Sequence, residues 1–222
     1  YESSNHKTIA NFEEDIDITT AKDSTIIKGV NLALWKEQNL PTRDEGSQEN
    51  NAVILGWDYK NDTSSSDKAM YELRLSTDDS ITITTNSTLQ FTLGVGNHEW
   101  LDINLTEKQK EAKNEDDKRE VPQLDFTIQL TDASGQTSAL KVSEIKEIPK
   151  PLKTRFTKFA FLDKEMIGED WEVQLQTYHL PLEKFTSINP ELNLEEVSKI
   201  IFIFDQTDYG VVVLDEIGVS GD

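Results

Sequence analysis

Period-two alternation of apolar and polar residues, turn-forming residues at short intervals and the lack of any long amphipathic stretch predict an all-β protein. The expected form is an antiparallel two-sheet β-sandwich with at most one short helical turn. By alternation a strand is expected over 52–59. Tyr71, Leu73 and Leu75 then alternate with Glu72 and Arg74, and Ile81 and Ile83 flank Thr82. Leu89, Phe91, Leu93 and Val95 alternate with Gln90, Thr92 and Gly94. Another strand is read over 100–105. The clearest alternation sets Leu124, Phe126, Ile128 and Leu130 against Asp125, Thr127 and Gln129. The remaining strands are expected over 154–161, 171–180, 199–204 and 211–219. Asn61-Asp62, Asp78-Asp79, Gly96-Asn97, 132–135 and Asp208-Tyr209-Gly210 supply the turn chemistry between them.

Two segments, 43–51 and 106–120, are polar and charged with no apolar stripe, and they read as solvated loops. The chain shows no internal repeat and no Pro/Gly-rich linker. A single domain over 1–222, with a polar insertion at about 106–120, is therefore expected. The sequence opens at Tyr1 without Met or a signal-like segment, which suits a mature secreted protein or a piece of a larger one. Three N-x-S/T sequons carry no weight in so Asn- and Thr-rich a chain.

With 42 Asp and Glu against 22 Lys and Arg, the net charge is −20. That balance disfavours nucleic acid and anionic membrane surfaces. It equally disfavours acidic polysaccharides unless calcium bridges them. No apolar run is long enough to insert in a bilayer. The absence of Cys removes thiol chemistry, Cys-ligated zinc and disulfides.

The segment 180–185, Leu180-Pro181-Leu182-Glu183-Lys184-Phe185, followed by 197–204 and 210–217 with Leu214-Asp215-Glu216-Ile217, resembles the "PL..F" and "lDdI" pattern of the calcium-binding β-jelly-roll carbohydrate-binding modules of secreted bacterial glycoside hydrolases. The opening Ile9-Ala10-Asn11-Phe12-Glu13 resembles the "dFE" start of the same fold, and 124–135 resembles its "DadG" hairpin. The resemblance implies a galactose-binding-like jelly roll. It also implies a calcium ion tying the first strand to the last through Glu13 and Asp215, and an attached catalytic domain.

Residue parity bears on the same ion. Asp215 alternates with Val211, Val213, Ile217 and Val219; if that side is buried, a carboxylate points inward and needs a cation or dense hydrogen bonding. Calcium takes six to eight oxygens and suits such a site. Val212 and Leu214 mark the other side equally well, and that reading turns Asp215 outward.

Sugar binding uses aromatic rings set among polar side chains. Trp100 alternates with Asp102 and Asn104. Tyr178 shares parity with Glu172, Gln174 and Gln176, leaving Trp171, Val173 and Leu175 for the other side, and Asp125, Thr127 and Gln129 form a further polar row. The expected ligand surface is Trp100, Asp102, Gln129, Gln174, Gln176 and Tyr178, with Trp100 and Tyr178 stacking on the sugar. Trp57, Tyr59, Trp35 and Trp171 read as core, and His179 as half-buried packing.

No nucleophile elbow, zinc-protease motif, P-loop or dinucleotide glycine pattern occurs, and no catalytic residue is assigned. The expected function is a non-catalytic module, calcium-stabilised, monomeric, and secreted or on the cell surface. It would tether an attached hydrolase to a polysaccharide or oligosaccharide. A structural or protein-interaction jelly roll without a sugar site is the alternative, and an enzyme on a sandwich scaffold is a third reading.

Overall fold

The computed structural model describes residues 6–10, 12, 25–28, 31–36, 51–59, 68–75, 83–96, 121–153 and 171–221. In chain order the strands are β1 His6–Ala10, β2 Thr25–Lys28, β3 Asn31–Lys36, β4 Asn51–Asp58, β5 Met70–Arg74, β6 Thr88–Val95 and β7 Thr127–Asp132. They continue as β8 Thr137–Lys141, β9 Leu152–Lys153, β10 Trp171–Glu172, β11 Gln176–Pro181, β12 Val197–Ile203 and β13 Tyr209–Ser220. A short helix, α1 Glu183–Ile188, and 3₁₀ turns at Val142–Glu144 and Leu194–Glu196 complete the described elements.

All pairings are antiparallel. One sheet runs β11-β6-β13-β4-β3, a second runs β2-β5-β12-β7-β8, and β9 pairs with β10. Strand β13 is the spine of the first sheet. Its Tyr209–Leu214 half pairs with β4, and its end pairs with β1 on the same edge, while β6 follows the opposite edge. The two sheets close on one core, as the sequence predicts for a sandwich.

That core is aromatic at its centre. Phe202 of β12 meets Phe91 of β6 edge-on at 5.6 Å, and Trp57 of β4 stacks on Phe204 at 4.4 Å. The Trp57 ring is 1% exposed, and its Nε1 donates to the Thr207 carbonyl at 3.0 Å, so burial leaves no indole N–H unsatisfied. Gly210 is fixed by this ring: an added Cβ would lie 2.5 Å from it and 2.6 Å from Leu124 Cδ2. The inner set of β7, Ile128 and Leu130 with Leu124 and Phe126 before it, is buried as the alternation predicts. The "PL..F" pattern also has a plain physical meaning. Pro181 ends β11, Leu182 enters the core, and Phe185 of α1 is fully buried.

Several elements differ from expectation. Segment 171–180 is not one strand but β10, a non-strand crossing at 173–175, and β11. Ile83 is buried beside a turn rather than in a strand. Strands β2, β3, β8 and β9 lie outside the strands that alternation predicts, whereas β1 falls at the opening strand that the resemblance implies. In β8 the inward Ser138 replaces an apolar residue by donating to the Phe185 carbonyl at 2.8 Å, which hides the period. The strands read over 100–105 and 154–161 lie outside the described residues, as does the insertion 106–120.

The β7–β8 turn is held by Asp132. Its Oδ1 accepts from the Ser134 N–H at 2.9 Å, the Ser134 hydroxyl at 2.7 Å and the Gln136 N–H at 2.9 Å, while Oδ2 accepts from the Asn193 N–H at 3.0 Å. Gly135 has φ 89°, which favours glycine. The Asn193 amide and then the Ser134 hydroxyl hold the Asp132 carboxyl below its usual range; burial opposes them, and the Gln136 and Ser134 amides add to the lowering. A depressed folded value means stability that is present above the ordinary 3.8 and lost as pH falls below it. Denaturant melts on descending pH should therefore show a steep acid limb in the wild type. The Asp132→Asn variant, less stable at neutral pH, should show a shallower one. Parallel limbs would remove Asp132 from the acid response.

Candidate functional site

The outer face of the five-stranded sheet is a regular lattice. Its cross-strand rows are Arg74–Lys199–Thr131–Thr137, Glu72–Ile201–Gln129–Ala139 and Met70–Ile203–Thr127–Lys141, contributed in that order by β5, β12, β7 and β8. The ladders set these strands side by side, and pleating then puts these residues on one face, because each strand sends its alternate residues into the core. Polar columns on β5 and β7 flank an apolar stripe of Ile201 and Ile203, with Met70 at its end. Ile201 is 7% exposed, and Met70 and Ile203 are half-buried.

Glu72 organises one side of the lattice. It is 7% exposed, and its Oε1 accepts from Arg74 Nε at 2.9 Å, with Lys199 Nζ 3.7 Å away. Both cations are well exposed, so the pairing contributes little to stability; its effect is to fix the direction of the guanidinium.

Asp205 closes one end. Its Oδ1 accepts from the Thr127 hydroxyl at 2.7 Å and its Oδ2 from Lys68 Nζ at 3.0 Å, while Gln206 Nε2 donates to Thr127 Oγ1 at 3.3 Å. Burial pushes the Asp205 carboxyl up, and hydrogen bonds from Gln206, Thr127 and Lys68 together bring it below its usual value. Asp125 continues the β7 column, with the Ser143 hydroxyl donating to it at 2.7 Å. Such a face offers hydroxyl, amide, guanidinium and ammonium donors around aliphatic surface, the means to hold a polyhydroxylated ligand.

The six-stranded sheet is different on its outer face. Ala52, Ile54, Val211 and Val213 are buried there, with Val173 and Leu175 packed against them. The crossing is close: a Cβ on Gly94 would lie 2.7 Å from Val173 Cγ1 and 3.0 Å from the Gln174 carbonyl. The chain's own 173–175 segment thus covers the apolar part of that face.

The predicted site residues are accordingly split. Gln129 sits at the middle of the lattice, its Nε2 donating to Thr131 Oγ1 at 3.4 Å. Gln174, Gln176 and Tyr178 belong to the other sheet and do not share a surface with it. Tyr178 is a correction in itself: it is 1% exposed and lies parallel to Phe91 at 5.3 Å, inside the core. Gln176 and Tyr178 do share a side of β11, but it is the core side, and the non-strand 173–175 breaks the parity before Gln174. Leu180 shares Tyr178's phase, and two large apolar groups at the centre of β11 outweigh the polar Gln176 at its start. Val173 and Leu175, expected in the core, consequently lie on the outer face. His179 is exposed rather than half-buried. Trp57 and Tyr59 are core or its margin as expected, the Tyr59 hydroxyl donating to the Phe204 carbonyl and accepting from the Ala69 N–H, each at 2.7 Å. Trp100, Asp102 and Glu13, and the side chains of Trp35 and Trp171, lie outside what is described.

Asp215 is 2% exposed and lies on the outer side, the second of the two readings its parity left open. The ladder with β6 shifts register between Asp215 and Gly218, and Glu216 has φ 47°. This bulge adds one residue to the strand. Val212, Leu214, Ile217 and Val219 therefore point into the core, while Asp215 shares the outer side with Val211 and Val213. The Glu216 N–H donates to Asp215 Oδ1 at 2.7 Å. Strand β1 ends beside the bulge, Ala10 standing opposite Ile217, and Phe12, at φ 54°, is buried just beyond. An all-oxygen donor set fits a hard cation. Among the described residues no group of three or more His, Asp or Glu is placed to hold a metal.

Sequence reasoning missed Glu72, Arg74, Lys199, Lys68 and Asp205. The alternation in β5 and β12 marks Glu72, Arg74 and Lys199 as outward, but nothing local says that these strands are neighbours.

No protein-family model matches the chain, and no curated protein sequence matches it. Solved structures do. The family 11 carbohydrate-binding module of a cellulosomal cellulase of Clostridium thermocellum aligns over 98% of this chain and 95% of its own, at 10% identity and a TM-score of 0.50. An exo-β-agarase aligns over 99% of this chain at 12% identity and a TM-score of 0.52, and the match spans 25% of the agarase. The chain has the two-sheet antiparallel fold of the β-jelly-roll carbohydrate-binding modules.

Proposed function

We propose that this chain is a non-catalytic carbohydrate-binding module whose glycan surface is the outer face of the five-stranded sheet. The observation that carries the reading is the lattice itself. It is an ordered array of hydrogen-bonding side chains around aliphatic surface, on the sheet face that no described segment of the chain covers with apolar residues. The likeness in fold to a module of a cellulase and to part of an agarase supports it. Gln129 supplies the central amide, with Arg74, Lys199 and the threonines of β7 around it; Trp100 and Asp102 keep the roles the sequence suggests for them, a stacking ring and its polar companion. In this reading the module is monomeric, secreted or on the cell surface, and tethers an attached hydrolase to polysaccharide by raising its local concentration. Calcium, held by Glu13 and Asp215, would neutralise a buried carboxylate and pin the first strand to the last.

The test is affinity electrophoresis through gels containing hydroxyethylcellulose or agarose. Retardation is expected. The Gln129→Ala and Trp100→Ala variants should each weaken it by about tenfold, the loss of one or two good polar or stacking contacts. Gln129→Ala should not shift the melting transition by more than a degree or two, as its side chain lies outside the core, and melts report whether Trp100→Ala is folded. Retardation unchanged in both variants would move the glycan surface elsewhere. If neither these neutral gels nor gels of charged polysaccharide retard the chain, the structural or protein-interaction reading replaces this one.

A further inference from the structure

We infer that the saccharide taken by this face carries an anionic group, a carboxylate or sulfate, received by Arg74 and Lys199. The inference rests on the glycan-surface reading above and names its ligand class. The net charge of −20 argues the opposite way for the chain as a whole. Locally, the balance is inverted. Among the described residues, the lattice and its margin carry Lys68, Arg74, Lys141 and Lys199 against Glu72, Asp125 and Asp205. Two of the three anions are engaged at the edge: Asp205 by Lys68 and Thr127, Asp125 by the Ser143 hydroxyl and amide.

Arg74 and Lys199 stand directly opposite each other on β5 and β12, and they share a single carboxylate oxygen, Glu72 Oε1. Among the described residues, one positive charge of the pair is left uncompensated. Like charges facing each other across a ladder are unfavourable, and a second anion relieves what Glu72 only half neutralises. The geometry suits that anion. Arg74 spends its Nε on Glu72, so the two Nη amino groups, which make no hydrogen bond to a described residue, remain as a fork for a planar carboxylate or for two sulfate oxygens. The Arg74 side chain is 45% exposed and that of Lys199 is 38% exposed, against 9% for Glu72. The carboxylate is thus recessed beneath cations that reach solvent. Thr131 and Thr137 continue the row with hydroxyls for neighbouring sugar positions.

The experiment is affinity electrophoresis of the chain in gels of polygalacturonate, of a sulfated galactan and of neutral hydroxyethylcellulose, at low and high salt. Retardation is expected in one or both anionic gels, identifying carboxylate or sulfate as the group. It should weaken by about tenfold in Arg74→Gln and in Lys199→Gln, the loss of one charge-assisted contact, and fall with added salt. Lys184→Gln, the same charge change on α1 outside the lattice rows, should leave it unaltered. Thermal melts report whether each variant is folded; the salt series on the wild-type chain tests the same point without any substitution. Retardation by hydroxyethylcellulose alone overturns the anionic class and leaves the glycan surface standing. Retention in an anionic gel that is indifferent to salt and to both folded variants also overturns it. Retardation in none of the gels overturns both readings together.

Discussion

Tyr178→Ala is expected to destabilise the protein by about 3–5 kcal/mol, the cost of deleting a buried aromatic ring and leaving its cavity. The ring is 1% exposed and lies parallel to Phe91 with an interplanar angle of 5°. Phe91 in turn meets Phe202 across the sandwich, so the cavity would open at the centre of the contact between sheets. The phenol contributes little by comparison: its hydroxyl is 3.5 Å from the Glu147 carbonyl, at the limit of a hydrogen bond. Tyr178→Phe should therefore melt within about 1 kcal/mol of wild type. Denaturant melts of the two variants separate ring from hydroxyl, and equal losses in both would contradict the core placement. Burial also pushes the Tyr178 phenol up to about 12, and it raises Tyr71 and Tyr59 as well. Tyrosines that ionise more readily unfolded than folded give stability that is intact below the ordinary value of 10.0 and lost as pH rises past it. The wild-type chain should unfold cooperatively on that alkaline limb, and Tyr178→Phe should soften it.

Stripping calcium with excess chelator is expected to lower Tm by about 5–10 °C. A ligand present at a hundredfold over its Kd and bound only to the folded state adds about 2.7 kcal/mol, and each kcal/mol is worth about 2–4 °C in a chain of this size. The proposed ligands make the effect specific. Asp215 is buried at a bulge next to the end of β1, and removing its counter-ion would leave a carboxylate poorly solvated. Asp215→Asn should abolish the response to chelator, and Glu13→Gln should reduce it. Superimposable melts with and without chelator would dismiss the calcium clasp, leaving hydrogen bonding such as that from the Glu216 N–H to satisfy Asp215.

Within single strands, much was legible. The inward sets of β6 and β7, the burial of Trp57 and the turn at Asp132 follow from alternation and turn chemistry, since each is decided by residues a few positions apart. The "PL..F" pattern was legible for the same reason: a proline that stops a strand and two apolar residues one helical turn apart make a local plug. The outward row Asp125, Thr127 and Gln129 was read correctly as a row.

The tertiary structure decided three things that alternation leaves open. Period two states which residues share a side of a strand but not which side meets the core, and at β11 the Phe91 contact made Tyr178 the inner residue. One inserted residue reverses the phase, and the bulge at Asp215 and Glu216 did so within β13 without leaving a mark in the hydrophobic pattern. Most consequential for function is which strands become neighbours. Gln129 gained Ile201 and Glu72 as companions, rather than Gln174 and Gln176, because β12 pairs with both β5 and β7 across long stretches of sequence. The sequence by itself determined the all-β class and the inward sets of its regular strands, because backbone pleating and side-chain polarity act locally. The composition of the outer surface was set only when packing of the shared aromatic core chose the phase of each strand and the ladders chose its partners.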